Sequence, residues 1–204
     1  RRSCRALSRS PVPISHGKRQ MLNSYLTQTR RLLQNPGAPT ALYSDADLTD
    51  YINIARGQLA GESEAIRAIG TISTVANQQV YNFSGLNTGV SATTGIQGVI
   101  NIDSIRYNTA SGARWIPPRP WNWFDLYVLN DPVPTPGVPT VWTQYGQGAA
   151  PGSTGSIGGG SFYINMPDIV YTLNCDCVCY PIALADDTTK EAIPYLWTDA
   201  VPFF

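Results

Sequence analysis

The sequence is poor in charged residues, in histidine and in long apolar runs. Charged residues make up only 14 % of its 204 residues, and the single histidine is His16. A Ser–His–Asp triad needs a histidine inside the folded body, and His16 lies in a basic N-terminal stretch, so such a triad is not expected. No apolar run approaches the roughly 18 residues of a membrane span, and the N-terminus has no apolar signal-peptide core. We therefore expect a soluble chain with no membrane partner and no secretion signal.

Cysteine and glycine are present in patterns that do not match a cofactor site. Three of the four cysteines, Cys175, Cys177 and Cys179, alternate along one predicted strand, which puts their Cα atoms roughly 7 Å apart on one face. That spacing is at or beyond disulfide reach and differs from the C-x2-C of zinc sites, so buried thiols in a reducing compartment are predicted. The glycine-rich stretch 146–160 lacks the Gly-Lys-Ser/Thr of a phosphate loop and predicts a flexible loop. No metal and no cofactor is expected.

Glycine (18), proline (16) and uncharged polar residues take the place of the missing charges. This composition is typical of a β-rich, loop-rich body whose surface is covered by neighbouring chains. The zero net charge hides an asymmetry, because residues 1–31 hold eight basic residues and no acid. The remaining residues hold six basic residues against fourteen acids, a net charge of −8. The basic stretch is either a contact for nucleic acid or an acidic partner, or a solvated tail.

The best-specified element is a helix over Ser44–Arg67. Ser44 followed by Asp47 predicts a capping box, and acids in the first turn suit the helix dipole. Gly57 and Gly61 predict a bend or break near Gly61. One apolar stripe is predicted to comprise Leu48, Tyr51, Ile52, Ala55, Leu59 and Ile66. The opposite, polar side is predicted to carry Asn53, Arg56, Gln58 and Glu62.

A first helix is predicted over residues 21–34 and ends at the turn 35–39, which carries two prolines. The short connection to Ser44 predicts that the two helices pair as an antiparallel hairpin. Because Met21 opens this first helix, residues 1–20 are either upstream of the start codon or an arm that is ordered in an assembly.

From residue 69 the pattern changes to the two-residue alternation of strands. The predicted strands are Ile69–Val75, Gln79–Phe83, Gly98–Tyr107, Arg114–Ile116, Thr140–Tyr145, Ser161–Asn165 and Ile169–Tyr180. Gly98–Tyr107 is apolar on both faces and is predicted to be central, with Ile102 and Ile105 on opposite sides. A short helix is predicted over Trp121–Leu129 and a further helix start at Asp186–Glu191.

The predicted fold class is α+β. It consists of an N-terminal antiparallel helix hairpin with a β-rich insertion and a return to helix at the C-terminus. The predicted units are a basic arm (1–20), the hairpin (21–68), the insertion with its short aromatic helix (69–185) and a C-terminal helical segment (186–204).

Eight residues are candidates for contact with partners: Arg30, Arg31, Trp115, Trp121, Trp123, Trp197, Phe203 and Phe204. The three clustered tryptophans are either an interface hot spot or part of the core. The apolar end of the chain is either docked on another surface or continues in a longer chain. Asp103, Asp125 and Asp168 are the carboxylates that a glycan hydrolase could use, but no pair of them has a recognisable setting.

Three stretches resemble the head–tail adaptor (connector) proteins of tailed bacteriophages. They are the hairpin ending in Ser44-Asp-Ala-Asp-Leu-Thr-Asp-Tyr-Ile-Asn53, the strand pair around Gln78–Phe83 and Val99–Tyr107, and Pro167–Leu173 with Ile193–Trp197. The resemblance implies a non-enzymatic virion protein that forms a homo-oligomeric ring, typically of twelve copies, beneath the portal protein. Genomic DNA passes through such a ring without sequence-specific binding, and tail or nozzle proteins attach to it. The alternatives are another virion structural protein (tail-tube, tail-completion or decoration protein) and, more remotely, a glycan hydrolase.

Overall fold

The computed structural model describes residues 21–35, 37, 41–89, 94–109, 112–148 and 159–204. Within these ranges the chain is α+β, with four α-helices and two antiparallel sheets. The helices are α1 (Met21–Leu32), α2 (Asp45–Ser63), α3 (Trp121–Phe124) and α4 (Tyr195–Thr198). The strands are β1 (Arg67–Ser73), β2 (Val80–Asn82), β3 (Ile96–Thr109), β4 (Gly112–Ile116), β5 (Trp142–Tyr145), β6 (Ser161–Ile164) and β7 (Thr172–Pro181).

The predicted α+β class is confirmed, and each predicted strand is present with its ends displaced by a few residues. Helices α1 and α2 pack against each other, whereas their antiparallel arrangement stays a prediction. The basic arm with Cys4 and His16, and most of the glycine-rich loop, lie outside the described residues.

Helix α2 begins where its capping signal predicts. The Ser44 hydroxyl accepts a hydrogen bond from the Asp47 backbone N–H at 3.1 Å, and the Asp47 carboxylate accepts one from the Ser44 N–H at 3.1 Å. These bonds satisfy two backbone donors at the helix start. The helix runs through Gly61 but ends at Ser63, on Glu64 in a left-handed conformation with φ 51°. It therefore stops close to the predicted bend or break near Gly61, and Arg67, predicted as its last residue, belongs to β1.

The sides of α2 also differ from the prediction. Tyr51, predicted on the apolar stripe, is 59 % exposed, whereas Arg56, predicted on the polar side, is fully buried. The stripe is therefore centred on Leu48, Ile52 and Leu59, and Arg56 belongs to it. A buried arginine is tolerated only when its charge and its N–H groups are paired, and here Glu191 supplies that partner.

The larger sheet has the strand order β1-β7-β3-β4, so the prediction that β3 is central is confirmed. The register of β3 against β7 shifts in three places, including between Ile102 and Ser104. A bulge absorbs one residue, and both Ile102 and Ile105 therefore enter the same core cluster. Their predicted placement on opposite sides is wrong because strict alternation does not allow for bulges.

Strand β7 lies in the middle of the core. Cys175, Cys177 and Cys179 are fully buried on it, as predicted, together with Leu173, and Tyr171, which precedes the strand, is only partly buried. Burial raises the pKa of Cys177 to about 12 and that of Cys179 to about 11. The thiols are therefore protonated at neutral pH and act as small apolar side chains.

The smaller sheet has the order β2-β6-β5 and shares the core of the larger sheet. Trp142 on β5 is buried, and its Nε1–H donates to the carbonyl of Ile116 on β4 at 3.0 Å. Beside it, the predicted helix Trp121–Leu129 is α3 followed by one π-helical turn, Asp125–Leu129. The prediction is right in extent, but the helix type changes after α3.

The C-terminal segment is less helical than predicted. No helix starts at Asp186–Glu191, because the Asp186 carboxylate accepts hydrogen bonds from the backbone N–H groups of Thr188 and Thr189 and closes a turn. In the described part of this segment the helical structure is limited to α4, which follows Pro194, and one 3₁₀ turn, Val201–Phe203.

Candidate functional site

A buried ion pair fixes the C-terminal segment to the helices. Arg56 binds Glu191 with two hydrogen bonds, Nε to Oε2 at 2.9 Å and Nη2 to Oε1 at 2.7 Å. The side chains of the two residues are 0 % and 7 % exposed. Tyr25 of α1 donates its hydroxyl to Glu191 Oε2 at 3.1 Å, and burial, followed by the Glu191 charge, raises the pKa of Tyr25. We call Tyr25, Arg56 and Glu191 the buried ion-pair cluster.

Arg56 also makes two hydrogen bonds through its other terminal nitrogen. Its Nη1 donates to Asn53 Oδ1 at 2.9 Å and to the Ile182 carbonyl at 2.8 Å. Sequence reasoning missed this cluster. Arg56 lies four residues after Ile52 and three before Leu59, a spacing that puts it on the buried stripe, and this was the signal that could have found it.

The predicted contact residues Arg31, Phe203 and Phe204 meet at the end of α1. Arg31, Leu32 and Phe203 line one shallow groove, and Leu33 and Phe204 line a second. We call Leu32, Leu33, Phe203 and Phe204 the C-terminal patch; all four are exposed, Phe203 by 75 %. Arg30 does not join them, because it is mostly covered and pairs with Asp45.

Trp197 lies on α4, a few residues before the C-terminal patch. Its neighbour Leu196 is 89 % exposed, and Trp197 itself is half exposed. Exposed large apolar side chains thus continue along the last segment of the chain.

The three clustered tryptophans fall into two environments. Trp121 packs its ring against Tyr145 and Tyr163, at centroid distances of 4.5 and 4.9 Å. Trp123 is partly exposed beneath the guanidinium of Arg119, 5.1 Å from its ring centroid, and Trp115 on β4 is 58 % exposed. The sequence left open whether these tryptophans belong to the core or to an interface. Trp121 packs within the chain, whereas Trp115 and Trp123 are exposed at its surface.

Trp115 lies among arginines that the sequence analysis did not single out. It pairs across the strands with Arg106 of β3, and Arg114 precedes it on β4. Arg106, Arg114 and Arg119 are exposed and have no ion pair among the described residues, in contrast to Arg56 and Arg67. Because side chains alternate along a strand, Arg106 and Trp115 share one face of the sheet, whereas Arg114 shares the other face with Tyr107. We call Arg106 and Trp115 the arginine–tryptophan patch.

The candidate carboxylates of a hydrolase lie on three separate elements. Asp103 of β3 pairs with Arg67, which also binds Asp176 at 3.0 Å. Asp168 accepts a hydrogen bond from the Tyr171 hydroxyl at 2.7 Å, and this bond raises the pKa of Tyr171 to about 12. Asp125 opens the π-helical turn. In the described ranges, no group of metal-binding side chains is large enough to hold an ion, and no helix has the length and apolarity to cross a membrane.

The described residues thus combine a buried ion pair, which joins the C-terminal segment to the helices, with several exposed large apolar side chains. The family model of the SU10 adaptor protein matches residues 22–202. The chain belongs to this family, which gives it a structural adaptor role in a bacteriophage and makes it a component of the virion. The resemblance to phage adaptors stated from the sequence is thereby confirmed. Comparison with curated proteins gives no match.

Proposed function

We propose that the chain is the subunit of a homo-oligomeric ring at the head–tail junction of a tailed phage. The phage adaptors that the sequence resembles typically form rings of twelve copies. The proposed ring lies beneath the portal protein, extends the DNA channel and provides a platform for tail or nozzle proteins. It is assembled in the host cytoplasm, and the protein acts without a cofactor and without catalysis.

The proposal rests on one observation, namely that many large apolar side chains are exposed at the surface. The C-terminal patch, Leu196, Trp197 and Trp115 are all exposed, although the chain has a well-formed core. Soluble monomers rarely expose contiguous apolar patches larger than a few hundred Å². Each subunit of a ring buries two flanks against its neighbours, and further surface against the proteins above and below.

The charge distribution supports the passage of DNA. Beyond residue 31 the chain carries a net charge of −8. A channel wall with a negative field repels phosphate, so that DNA passes through without adhering.

Electron cryomicroscopy of the phage particle tests the proposal. The expected result is a closed ring of density between portal and tail that fits α2 and both sheets of this fold. Density of this fold in the tail tube, or scattered over the capsid surface, would assign the chain to another virion structural role and contradict the proposal.

A further inference from the structure

Helix α2 borders an acidic and mostly apolar groove of about 810 Å³, which we call the α2 groove. Its charged residues are Asp50 and Glu62, which are exposed and have no ion pair among the described residues. The lining also includes five apolar or small residues, which are Ile54, Gly57, Gly61, Tyr180 and Ala183. This surface fits an occupant that combines apolar residues with flanking positive charge.

Two glycines of α2 keep the groove open. Among residues other than proline, glycine is the least favourable in a helix. A Cβ atom at Gly57 or Gly61 would meet nothing within 4 Å, so packing inside the subunit does not require glycine at either position. Both residues line the α2 groove, and larger side chains there would occupy space that a bound segment needs.

The N-terminal arm, residues 1–20, has the complementary composition. It lies outside the described residues, and its sequence holds six basic residues and no acid. Its longest apolar stretch is Pro-Val-Pro-Ile at residues 11–14, with Arg9 before it and Lys18 after it. Proline fixes its own φ and favours extended backbone at the residue before it, so such a stretch loses little conformational entropy when it binds in a groove. Opposite charges around the contact select the partner and its orientation.

The arm joins the described fold close to the α2 groove. Asn23, near the start of α1, donates its backbone N–H and its side-chain amide to the Asp187 carboxylate, at 3.0 and 2.6 Å. Asp187 is four residues from Ala183 of the groove, a separation of at most roughly 14 Å. Residues 15–20 span roughly 20 Å when extended, so they are long enough to lead the arm into the groove of its own subunit.

We propose that the N-terminal arm of each subunit docks in the α2 groove of the same subunit. Residues 11–14 lie over the two glycines, and the basic residues on either side of this stretch lie beside Asp50 and Glu62. Twelve residues of helix separate these two acids, a distance of roughly 18 Å, which about six extended residues cover. The acidic partner of the basic arm is thus a surface of the same chain.

Hydrogen exchange of the full chain, measured by mass spectrometry, tests this docking. The groove variant carries Asp50→Lys and Glu62→Lys, and the arm variant carries Arg9→Glu and Lys18→Glu. We expect the amides of residues 9–14 to be protected in the wild type. They should exchange roughly tenfold faster in each variant, the effect of losing two exposed ion pairs.

Combining the two sets of substitutions identifies which subunit supplies the groove. A chain that carries all four should regain protection, because each reversed pair is attractive again. An equimolar mixture of the two variants should not regain it, because each arm is tied to the groove of its own chain. Protection in the mixture would show that the arm enters the groove of another copy, and would overturn the proposal.

A matched control separates a specific contact from an effect of net charge. It carries Asp131→Lys and Asp168→Lys at two exposed acids outside the α2 groove, and it changes the net charge as much as the groove variant does. This control should keep the wild-type protection of the arm. Gly61→Leu needs no space inside the subunit but fills the groove, so it should remove the protection without any change of charge. Unchanged exchange of the β7 amides shows that a variant is folded.

The proposal is overturned if residues 9–14 of the wild type exchange like an unstructured peptide, or if the groove variant and Gly61→Leu keep the wild-type protection. Loss of protection in the matched control would overturn it too, as would a subunit in phage particles that begins at Met21 by mass spectrometry. These results leave the proposed ring untouched, because the measurement reports a contact within one subunit and not assembly.

Discussion

The arginine of the buried ion-pair cluster and the arginine of the arginine–tryptophan patch lie in opposite environments, one buried and one exposed. Arg56 is fully buried, and its hydrogen bonds to Glu191, Asn53 and Ile182 join α2 to the C-terminal segment. Arg106 of the patch is exposed on β3 beside Trp115 and has no ion pair in the described chain. The first region therefore stabilises the subunit, whereas the second contributes little to it and is available to other chains.

The tryptophans follow the same division. Trp142 on β5 is buried and donates a hydrogen bond to the Ile116 carbonyl of the other sheet, whereas Trp115 on β4 is exposed. The subunit uses one set of side chains for its own stability and presents chemically similar ones at its surface. Stability measurements can therefore separate residues that stabilise the fold from residues that we propose to form contacts with other chains.

The largest effect is expected from Glu191→Gln. The substitution keeps the shape of the side chain but leaves the Arg56 charge buried without a counterion. Breaking a buried pair in this way destabilises by about 3–5 kcal/mol. Urea unfolding of the isolated subunit gives this free energy. Arg106→Gln is the matched control on the surface and should stay within about 0.5 kcal/mol of the wild type.

A smaller loss is expected from Trp142→Phe. The phenylalanine retains much of the apolar packing, but it lacks the indole N–H that donates to the Ile116 carbonyl. Leaving a buried polar group without a hydrogen-bond partner costs about 1–3 kcal/mol of stability. Trp115→Phe, at an exposed position, should leave the thermal midpoint unchanged within error. Equal losses in the two variants would remove the distinction between the inner and outer tryptophans.

Gly57→Ala is expected to stabilise the isolated subunit. The position is helical and its Cβ would meet nothing within 4 Å, so the helix propensity of alanine should add about 1 kcal/mol. Gly95→Ala is the contrasting variant. Gly95 has φ +75°, and a Cβ there would lie 2.5 Å from the Lys190 carbonyl oxygen. Urea unfolding should show a loss of stability in Gly95→Ala and a gain in Gly57→Ala, which would confirm that the fold requires glycine at position 95 and not at position 57.

The smallest effect concerns the exposed start of α2. Hydrogen bonds from the Ser44 hydroxyl and backbone N–H lower the pKa of Asp47 below its ordinary value of 3.8. A folded-state pKa below the unfolded one contributes stability that is complete above pH 3.8 and is lost as the pH falls through the folded-state pKa. Asp47→Asn should therefore reduce the decline of stability below pH 4. If the free energy of unfolding of Asp47→Asn falls below pH 4 as steeply as that of the wild type, the prediction is contradicted.

Local signals in the sequence predicted much of the fold. The start of α2 was predictable because Ser44 and Asp47 lie three residues apart and satisfy the helix end by themselves. The central position of β3 and the buried cysteines of β7 followed from alternation within single strands. Each of these features depends on contacts that the pattern of one short segment fixes.

Features that depend on distant partners could not be predicted in the same way. Arg56 and Glu191 are 135 residues apart, so the sequence does not show that the arginine is neutralised. The turn at Asp186 resembled a helix start because the same carboxylate can cap either structure. The arginine–tryptophan patch required the register of β3 and β4, which brings Arg106 beside Trp115.

Hydroxyl-radical footprinting of tryptophan in intact phage particles and in the isolated, folded subunit tests the central claim most directly. The account predicts that Trp115, Trp123 and Trp197 react readily in the isolated subunit and are strongly protected in the particle, whereas Trp142 is protected in both. Equal reactivity of the three exposed tryptophans in subunit and particle would show that their surfaces stay in contact with water, and would contradict the claim that they are used for assembly.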